Sequence, residues 1–418
     1  MKVLVIGGGG REHAVVKKLS ESPKIEKIYC TPGNAGISQI AQCVNIKATD
    51  IEGIINFVKT NPMDMVVVTP DDPLALGLVD RLNEMDVPAF GPVAKAAEIE
   101  SSKAFSKTLM KKYSIPKRDF EIFDNTEKAL EYVKDKKYPL VIKASGLALG
   151  KGVIIVENHQ EAVDTISQMM LNDMFGASGR TVIIEEFLEG PEVTVLAFTD
   201  GKTIKTMPSS QDHKRALDND KGLNTGGMGA FSPSLYYSNE IEDYCVKNIF
   251  YPTINAMKKE ERNFKGVIYF QMMLTKNGPK VIEYNARFGD PETQALMPLL
   301  KTDLYDIFNA IIDENLDKID IVWENKASAT VVLASGGYPK EYTKGYPITG
   351  IEEIIQNGIT VYHMGTSVKD GDIVTNGGRV LALTTTADTV EEAVTKVYNN
   401  INRIHFKDMH YRKDIGRK

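Results

Sequence analysis

Val3-Leu-Val-Ile-Gly-Gly-Gly-Gly-Arg-Glu-His13 reads as an apolar run, a four-glycine turn and the opening of a helix. Four apolar residues without alternation suit a strand covered on both faces, as in a parallel sheet. Outward from it the pattern repeats, with a helix over 12–20, a strand over 25–29, a helix over 51–60 and a strand over 65–68. That alternation predicts a parallel, Rossmann-like sheet. The backbone amides of the turn could cradle a phosphate at the helix N-terminus, although a purely structural turn reads equally well. Dinucleotide binding is the rival, and the Gly-x-Gly-x-x-Gly spacing fails in both frames. Gly7 and Gly9 lead to Glu12, and Gly8 and Gly10 lead to His13. The second strand ends Tyr29-Cys30-Thr31, without the acid that would grip a ribose, so a nicotinamide oxidoreductase rests on a broken motif.

Composition sets the surroundings. With 418 residues the chain has room for several domains, and 42% hydrophobic with 25% charged residues is ordinary for a globular protein. A formal net charge of −6 argues against nucleic acid as a partner, because phosphate backbones are bound by basic surfaces. Cys30, Cys43 and Cys245 are odd in number and far apart, which indicates neither a disulfide framework nor a zinc site and fits a reducing cytoplasm. The chain enters its first strand directly after Met1 and never approaches the roughly 18 consecutive apolar residues of a membrane span, so neither a signal peptide nor a membrane anchor is expected.

Beyond Pro92 the pattern changes, and Ser101-Ser-Lys103 opens a new helix. Tyr138-Pro-Leu-Val-Ile-Lys143 is a short strand leading into a loop with glycines at 146, 150 and 152, where Lys143 and Lys151 supply charge that could lie over phosphates. It is not a Walker A motif, because no Gly-Lys-Ser/Thr follows at the required spacing. A strand over 181–188 carries Glu185 and Glu186 at its end, two carboxylates that could read an amino group and a ribose or simply blunt a sheet edge. The segment 207–234 shows no periodicity and contains Gln211-Asp-His-Lys-Arg215 and Asn224-Thr-Gly-Gly-Met-Gly-Ala230. A long unpatterned loop inside a domain is usually functional.

The stretch Val281-Ile-Glu-Tyr-Asn-Ala-Arg-Phe-Gly-Asp-Pro-Glu-Thr-Gln294 starts as a strand, which puts Glu283 and Asn285 on one face about 7 Å apart along the backbone. Such a carboxylate and amide oxygen suit Mg²⁺, which binds few protein oxygens and completes its shell with water and phosphates. Arg287 adds a cation, and Asp290 before Pro291 predicts an N-cap with proline at the first helical position. From residue 327 onward, strands, turns and a helix over 389–401 show clear patterning without a catalytic constellation, and a packing domain that completes a cleft is the expectation.

Taken in order, these motifs resemble the phosphoribosylamine-glycine ligase family of the ATP-grasp superfamily, from Gly7-Gly-Gly-Gly-Arg-Glu-His13 through to Arg412-Lys-Asp-Ile-Gly416. The resemblance implies an α/β and α+β multidomain protein. It divides into a Rossmann-like N-terminal substrate domain over 1–101, an ATP-grasp body over 102–324 with a mobile lid near 120–187, and a small α+β C-terminal domain over 325–418. It implies a monofunctional, monomeric ligase of purine synthesis that joins glycine to 5-phosphoribosylamine. Glycine would be activated by the γ-phosphoryl group of ATP with Mg²⁺ or Mn²⁺ on Glu283 and Asn285; another ATP-grasp carboxylate-amine ligase is the alternative. ATP would be held by Lys103, Lys143, Gly150, Lys151, Gly152, Val153, Glu185, Glu186, Phe187, Leu188 and Glu192. Arg287, Asp212 and Asp290 are the implied catalytic groups. The substrates fall to Gly9, Gly10, Arg11 and Asp71, and to Lys214, Asn224, Thr225, Gly226 and Gly227. Asp71-Asp72, Ser145 and Phe270-Gln271 depart from the family's usual Glu-Ala, Asp and Ala-Gly, and none removes a group the chemistry requires.

Overall fold

The computed structural model describes residues 1–146, 152–172 and 174–417. Strand β1 (Lys2–Gly7) has both faces covered, as its unbroken apolar run predicts. Val3 and Val5 join one core with Phe288 and Phe308, while Leu4 and Ile6 join another with Val193 and Phe270. With β2 (Lys27–Pro32), β3 (Gln42–Cys43), β4 (Met65–Val68) and β5 (Ala89–Phe90) it forms a parallel sheet in the order β3-β2-β1-β4-β5. Strand β2 starts later than residue 25 because Ile25 N closes a turn on Ser22 O at 3.3 Å. The helix Ile51–Thr60 begins where Asp50 accepts a hydrogen bond from Gly53 N at 3.0 Å, and it buries Ile54, Ile55 and Val58 at helical spacing.

A second sheet holds β6 (Phe120–Phe123), β7 (Leu140–Ala144), β8 (Val153–Val156) and β9 (Val182–Glu186) in the order β6-β9-β7-β8, all antiparallel. It has its own core of Ile142, Val156, Ile166 and Ile184 with two helices. A third sheet contains β10 (Glu192–Thr199), β11 (Ile204–Thr206), β16 (Gly266–Thr275) and β17 (Gly278–Asn285), ordered β11-β10-β16-β17. In its hairpin Gln271 lies opposite Glu283 and Tyr269 opposite Asn285.

The segment 207–234 is not an unstructured loop. It holds β12 (Gln211–Asp212), β13 (Arg215–Leu217), β14 (Lys221–Asn224) and β15 (Gly229–Ser232). These strands are too short for alternation to show, and the sheet that β12 and β15 enter is completed by strands far away in sequence. β13 and β14 form a hairpin, whereas β12 and β15 enter a sheet with β18 (Ala327–Ala334), β19 (Thr360–His363) and β22 (Arg379–Ala387). The order β12-β15-β18-β22-β19 makes the chain from residue 327 onward share a sheet with the preceding part, and β20 (Thr366–Lys369) with β21 (Asp372–Thr375) forms a separate hairpin. Among the described residues no helix is long and apolar enough to cross a membrane. All three cysteines are free.

Candidate active site

Strand β17 ends at the site. Glu283 and Asn285 are part-exposed on either side of buried Tyr284, so the period of two holds and their oxygens share a face. Burial alone would raise the Glu283 carboxyl, but Lys214, Lys143, Lys103 and Lys107 bring it down to about 2. The Lys214 ammonium lies 3.7 Å from Glu283 Oε1 and donates to Gln271 Oε1. Gln271 Nε2 in turn donates to Glu192 Oε2 at 2.6 Å, tying Glu192 on β10 to the residue opposite Glu283.

Next to this pair lies a cluster of lysines. Lys103 starts the helix Lys103–Lys112, which Ser102 caps by accepting from Phe105 N at 3.2 Å. Its backbone N donates to Ser145 O at 2.9 Å and its ammonium to Gly146 O at 3.1 Å. The Ser145 hydroxyl, where an aspartate is usual, accepts from Ala104 N at 3.2 Å. Lys143 and Lys107 are both 2% exposed and flank Glu185, at 3.1 Å from Oε2 and 2.6 Å from Oε1, with Arg118 at 3.4 Å from Oε2. Despite burial, these cations hold the Glu185 carboxyl at about 2, and the Lys107 ammonium, lowered by burial, sits at about 8. Glu185 therefore faces cations, and its carboxylate organises the lysines. Glu186 accepts from Lys280 at 2.7 Å and Asp119 N at 3.0 Å. Phe187 is 38% exposed, and Leu188 packs with Met273 and Ile282. Gly152 O accepts from Ala144 N at 2.8 Å just before Val153 starts β8, while Gly150 and Lys151 lie outside the described residues.

On the other side, Arg287 pairs with Glu100 at 2.8 Å and donates to Phe288 O at 3.1 Å, the carbonyl that also accepts from Arg11 at 3.2 Å. The Arg287 Nε is buried with no hydrogen-bond partner among the described residues, a donor directed at nothing in the protein. Burial pushes the Asp71 carboxyl up, yet Arg287 and Arg11 outweigh it and the net shift is downward. The glycine turn and the 281–294 stretch thus meet, as the expectation for Gly9, Gly10, Arg11 and Asp71 requires. The Gly9 amide is already taken, donating to Glu12 Oε2 at 2.7 Å.

One expectation fails. Asp290 does not cap a helix starting at Pro291, for the helix runs Glu292–Leu296 with Pro291 at its N-cap position and no side-chain cap. The Asp290 carboxylate is held elsewhere, accepting from Gln294 Nε2 at 2.5 Å and from Arg379 Nη2 at 3.0 Å. Arg379 also donates to Asp290 O at 2.8 Å and Gly226 O at 2.9 Å. Sequence reasoning missed this arginine because it opens a strand in a region without a catalytic pattern. Lys107, one helical turn after Lys103, and Glu100 in the preceding helix had a weak signal in their spacing. Thr225 donates from its hydroxyl to Lys214 O at 2.8 Å and accepts from Gly227 N at 3.0 Å, and so shapes the loop that follows Asn224. Asp212 on β12 is raised to about 7, by burial first and then by Glu292, Glu192 and Glu283 against the opposing effect of Lys214.

The geometry has counterparts among known proteins. The family described as phosphoribosylglycinamide synthetase matches by its N domain over residues 1–100, its ATP-grasp (A) domain over 101–293 and its C domain over 328–418. The phosphoribosylamine–glycine ligase of Caldanaerobacter subterraneus subsp. tengcongensis is 49% identical, covering 100% of this chain and 99% of that protein. The chain belongs to the phosphoribosylamine–glycine ligase family. Its relatives include the Clostridium acetobutylicum enzyme, 44% identical over 100% of both chains. The crystal structure of the family member from Thermotoga maritima superposes with a TM-score of 0.87 at 33% identity, over 99% of this chain and 100% of that one. A biotin carboxylase from Campylobacter jejuni, at 16% identity and a TM-score of 0.74 over 99% of this chain and 94% of that one, shares the fold. The chain is thus an ATP-grasp ligase.

Proposed function

We propose that the enzyme joins glycine to 5-phosphoribosylamine, with ATP converted to ADP and phosphate, through a glycyl phosphate. The observation that carries this reading is the meeting of two differently charged halves. Lys103 and Lys143 gather around Glu283 on one side, and Arg287, Arg11 and Asp71 converge on the other. The first half suits a triphosphate, and the second a small carboxylate and a sugar phosphate. Glu283, kept ionised, and the Asn285 amide oxygen fit one Mg²⁺ or Mn²⁺, which would neutralise triphosphate charge when bound. Asp212, with its carboxyl near neutrality, is matched to accept the proton that the amine loses as it attacks the acyl group. The names of the relatives support both substrates. The division we propose is 1–101 for the substrate domain, 102–324 for the ATP-grasp body with its lid at 120–187, and 325–418 for the C-terminal domain. Free cysteines and acidic net charge support a cytoplasmic setting.

Glycine carrying ¹⁸O in its carboxylate tests the chemistry. One labelled oxygen is expected in inorganic phosphate per turnover, with ADP as the nucleotide product and a strict need for the phosphoribosylamine. Label in AMP would mean adenylation, and turnover without the phosphoribosylamine would mean a different ligase. Glu283→Gln should lower turnover by about 100-fold or more, the scale of losing a group that stabilises transition-state charge, with the fold intact by circular dichroism.

A further inference from the structure

The hairpin of β13 and β14 leads straight into the loop 224–227, yet it has little to hold itself in place. Arg215 pairs with Asn224 and Leu217 with Lys221 across it, Arg215 Nη1 donates to Gly222 O at 3.0 Å and Thr225 N to Lys214 O at 2.7 Å at its base, while Leu217 and Leu223 are 54% and 50% exposed. An isolated two-stranded ribbon of this size is marginal in water. Its anchor comes from the other end of the chain. Arg412, only 1% exposed, grips Asp414 with two parallel bonds of 2.8 and 2.7 Å and reaches Asp220 in the hairpin at 2.8 Å and Arg215 O at 3.2 Å. Two backbone amides complete the contact, Lys413 N donating to Asp218 at 2.7 Å and Asn219 N donating to Asp414 at 2.8 Å. The segment itself is fixed from below, where Tyr398 OH donates to Arg412 O at 2.7 Å and accepts from Ile415 N at 3.1 Å. At the far end of the same loop Arg379 holds Gly226 O and Asp290.

We infer that Arg412 and Arg379 are positioning residues through which the C-terminal domain holds the loop 224–227 from both ends, so that this domain sets affinity for a small substrate and leaves nucleotide binding unaffected. The inference rests on reading that loop as a substrate site. Guanidinium is the group that can do this, because its planar fork makes four bonds here, two to Asp414 and one each to Asp220 and Arg215 O, where an ammonium has three donors.

The test compares Arg412→Ala, Arg412→Lys, Arg379→Ala and the double variant of Arg412→Ala with Arg379→Ala in the full-length enzyme. In Arg412→Ala the amides of Asn219, Thr225, Gly227 and Met228 should exchange with deuterium about 10-fold faster or more, because their protection depends on the latch. KM for glycine or for the phosphoribosylamine should rise about 10-fold with kcat within about threefold, and binding of a non-hydrolysable ATP analogue with Mg²⁺ should stay within about twofold by calorimetry. Arg412→Lys should recover part of the loss, and the double variant should lose less than the product of the single losses, because both act on one loop. Unchanged exchange would overturn the latch. Faster exchange with both KM values unchanged would leave the latch standing and overturn the loop's substrate role, and so the inference. Loss of nucleotide binding in step with the melting temperature would reduce Arg412 to a general structural residue. If Arg412→Ala does not fold, Asp220→Ala removes one arm of the contact and takes the same measurements.

Discussion

The turn 8–11 and the loop 224–227 are both glycine-rich and both border the site, but they are held from different distances along the chain. The turn is fixed mainly by Glu12, whose carboxylate accepts from Gly9 N at 2.7 Å, Arg11 Nε at 2.5 Å and Thr69 Oγ1 at 2.7 Å. The loop depends on Arg379, 153 residues beyond Gly226, and on Arg412, 192 residues beyond Asp220. A carboxylate three residues on can form its contact as soon as the helix forms. The arginine contacts exist only after the chain beyond residue 327 has packed. Local order is therefore built into the first region and acquired by the second.

Four measurements would break or sharpen the contrast. The largest effect is expected for Gly227→Ala. Its φ is +116° and an added Cβ would lie 2.5 Å from Pro291 Cδ, so neither backbone nor neighbour can give way. We expect about a 100-fold fall in kcat/KM together with a lower melting temperature, from strain of about 2–3 kcal/mol and displaced loop groups. Activity within a few-fold of the parent would show that the loop is not shaped by the packing around it.

Glu12→Gln addresses the other region. It leaves the buried Arg11 guanidinium without its anion and should cost about 3 kcal/mol in urea unfolding. KM for the phosphoribosylamine should rise about 10-fold while that for glycine holds, because Arg11 belongs to the glycine turn read as the sugar-phosphate side of the second half. A rise in both would mean that the regions are coupled.

Acid should weaken both regions together. Burial lowers His13 to about 3, helped by His363 and Lys17, and lowers His363 to about 4; His213, beside the loop, falls to about 4 through burial and then Arg412. Each folded value lies below that of the unfolded histidine, so the unfolded state binds more protons between them and stability falls as pH drops below about 6.5. At pH 5 the loss should be about 2 kcal/mol per histidine, read as proton uptake on unfolding and a lower urea midpoint. His13→Asn should flatten the profile by one such contribution. An unchanged profile would show that His13 is protonated in the folded protein.

Gly9→Ala is the smallest change expected and the direct counterpart of Gly227→Ala. Gly9 has an ordinary φ of −89°, and an added Cβ meets side chains and no backbone, Glu12 Oε2 at 2.9 Å and Asp290 Oδ2 at 3.7 Å. Thermal stability should move by about 0.5 kcal/mol or less. A loss as large as that of Gly227→Ala would erase the distinction between the two regions.

Much of the molecule was legible from its residues. The run 3–6, the helix 51–60 with its Asp50 cap, and the pair Glu283 and Asn285 on one strand face all follow from periods of two and 3.6 and from capping chemistry, which act over a few residues. Composition and the ordered motifs carried the family and hence the ligase fold. Packing decided what no short window contains. It turned 207–234 into four strands of two sheets, in one of which β15 pairs with the distant β18, because that pairing is invisible in any short window. It took Asp290 from a cap to a partner of Arg379, because a guanidinium arriving from β22 outcompetes one backbone amide for the carboxylate. Glu185 became the buried centre of Lys107, Lys143 and Arg118, because three cations around one carboxylate require a fold to gather them. The sequence by itself determined which local elements form and which chemical groups are available; the tertiary structure decided which of those groups face one another, since charge and hydrogen bonding act through space over a few ångströms whatever their separation along the chain.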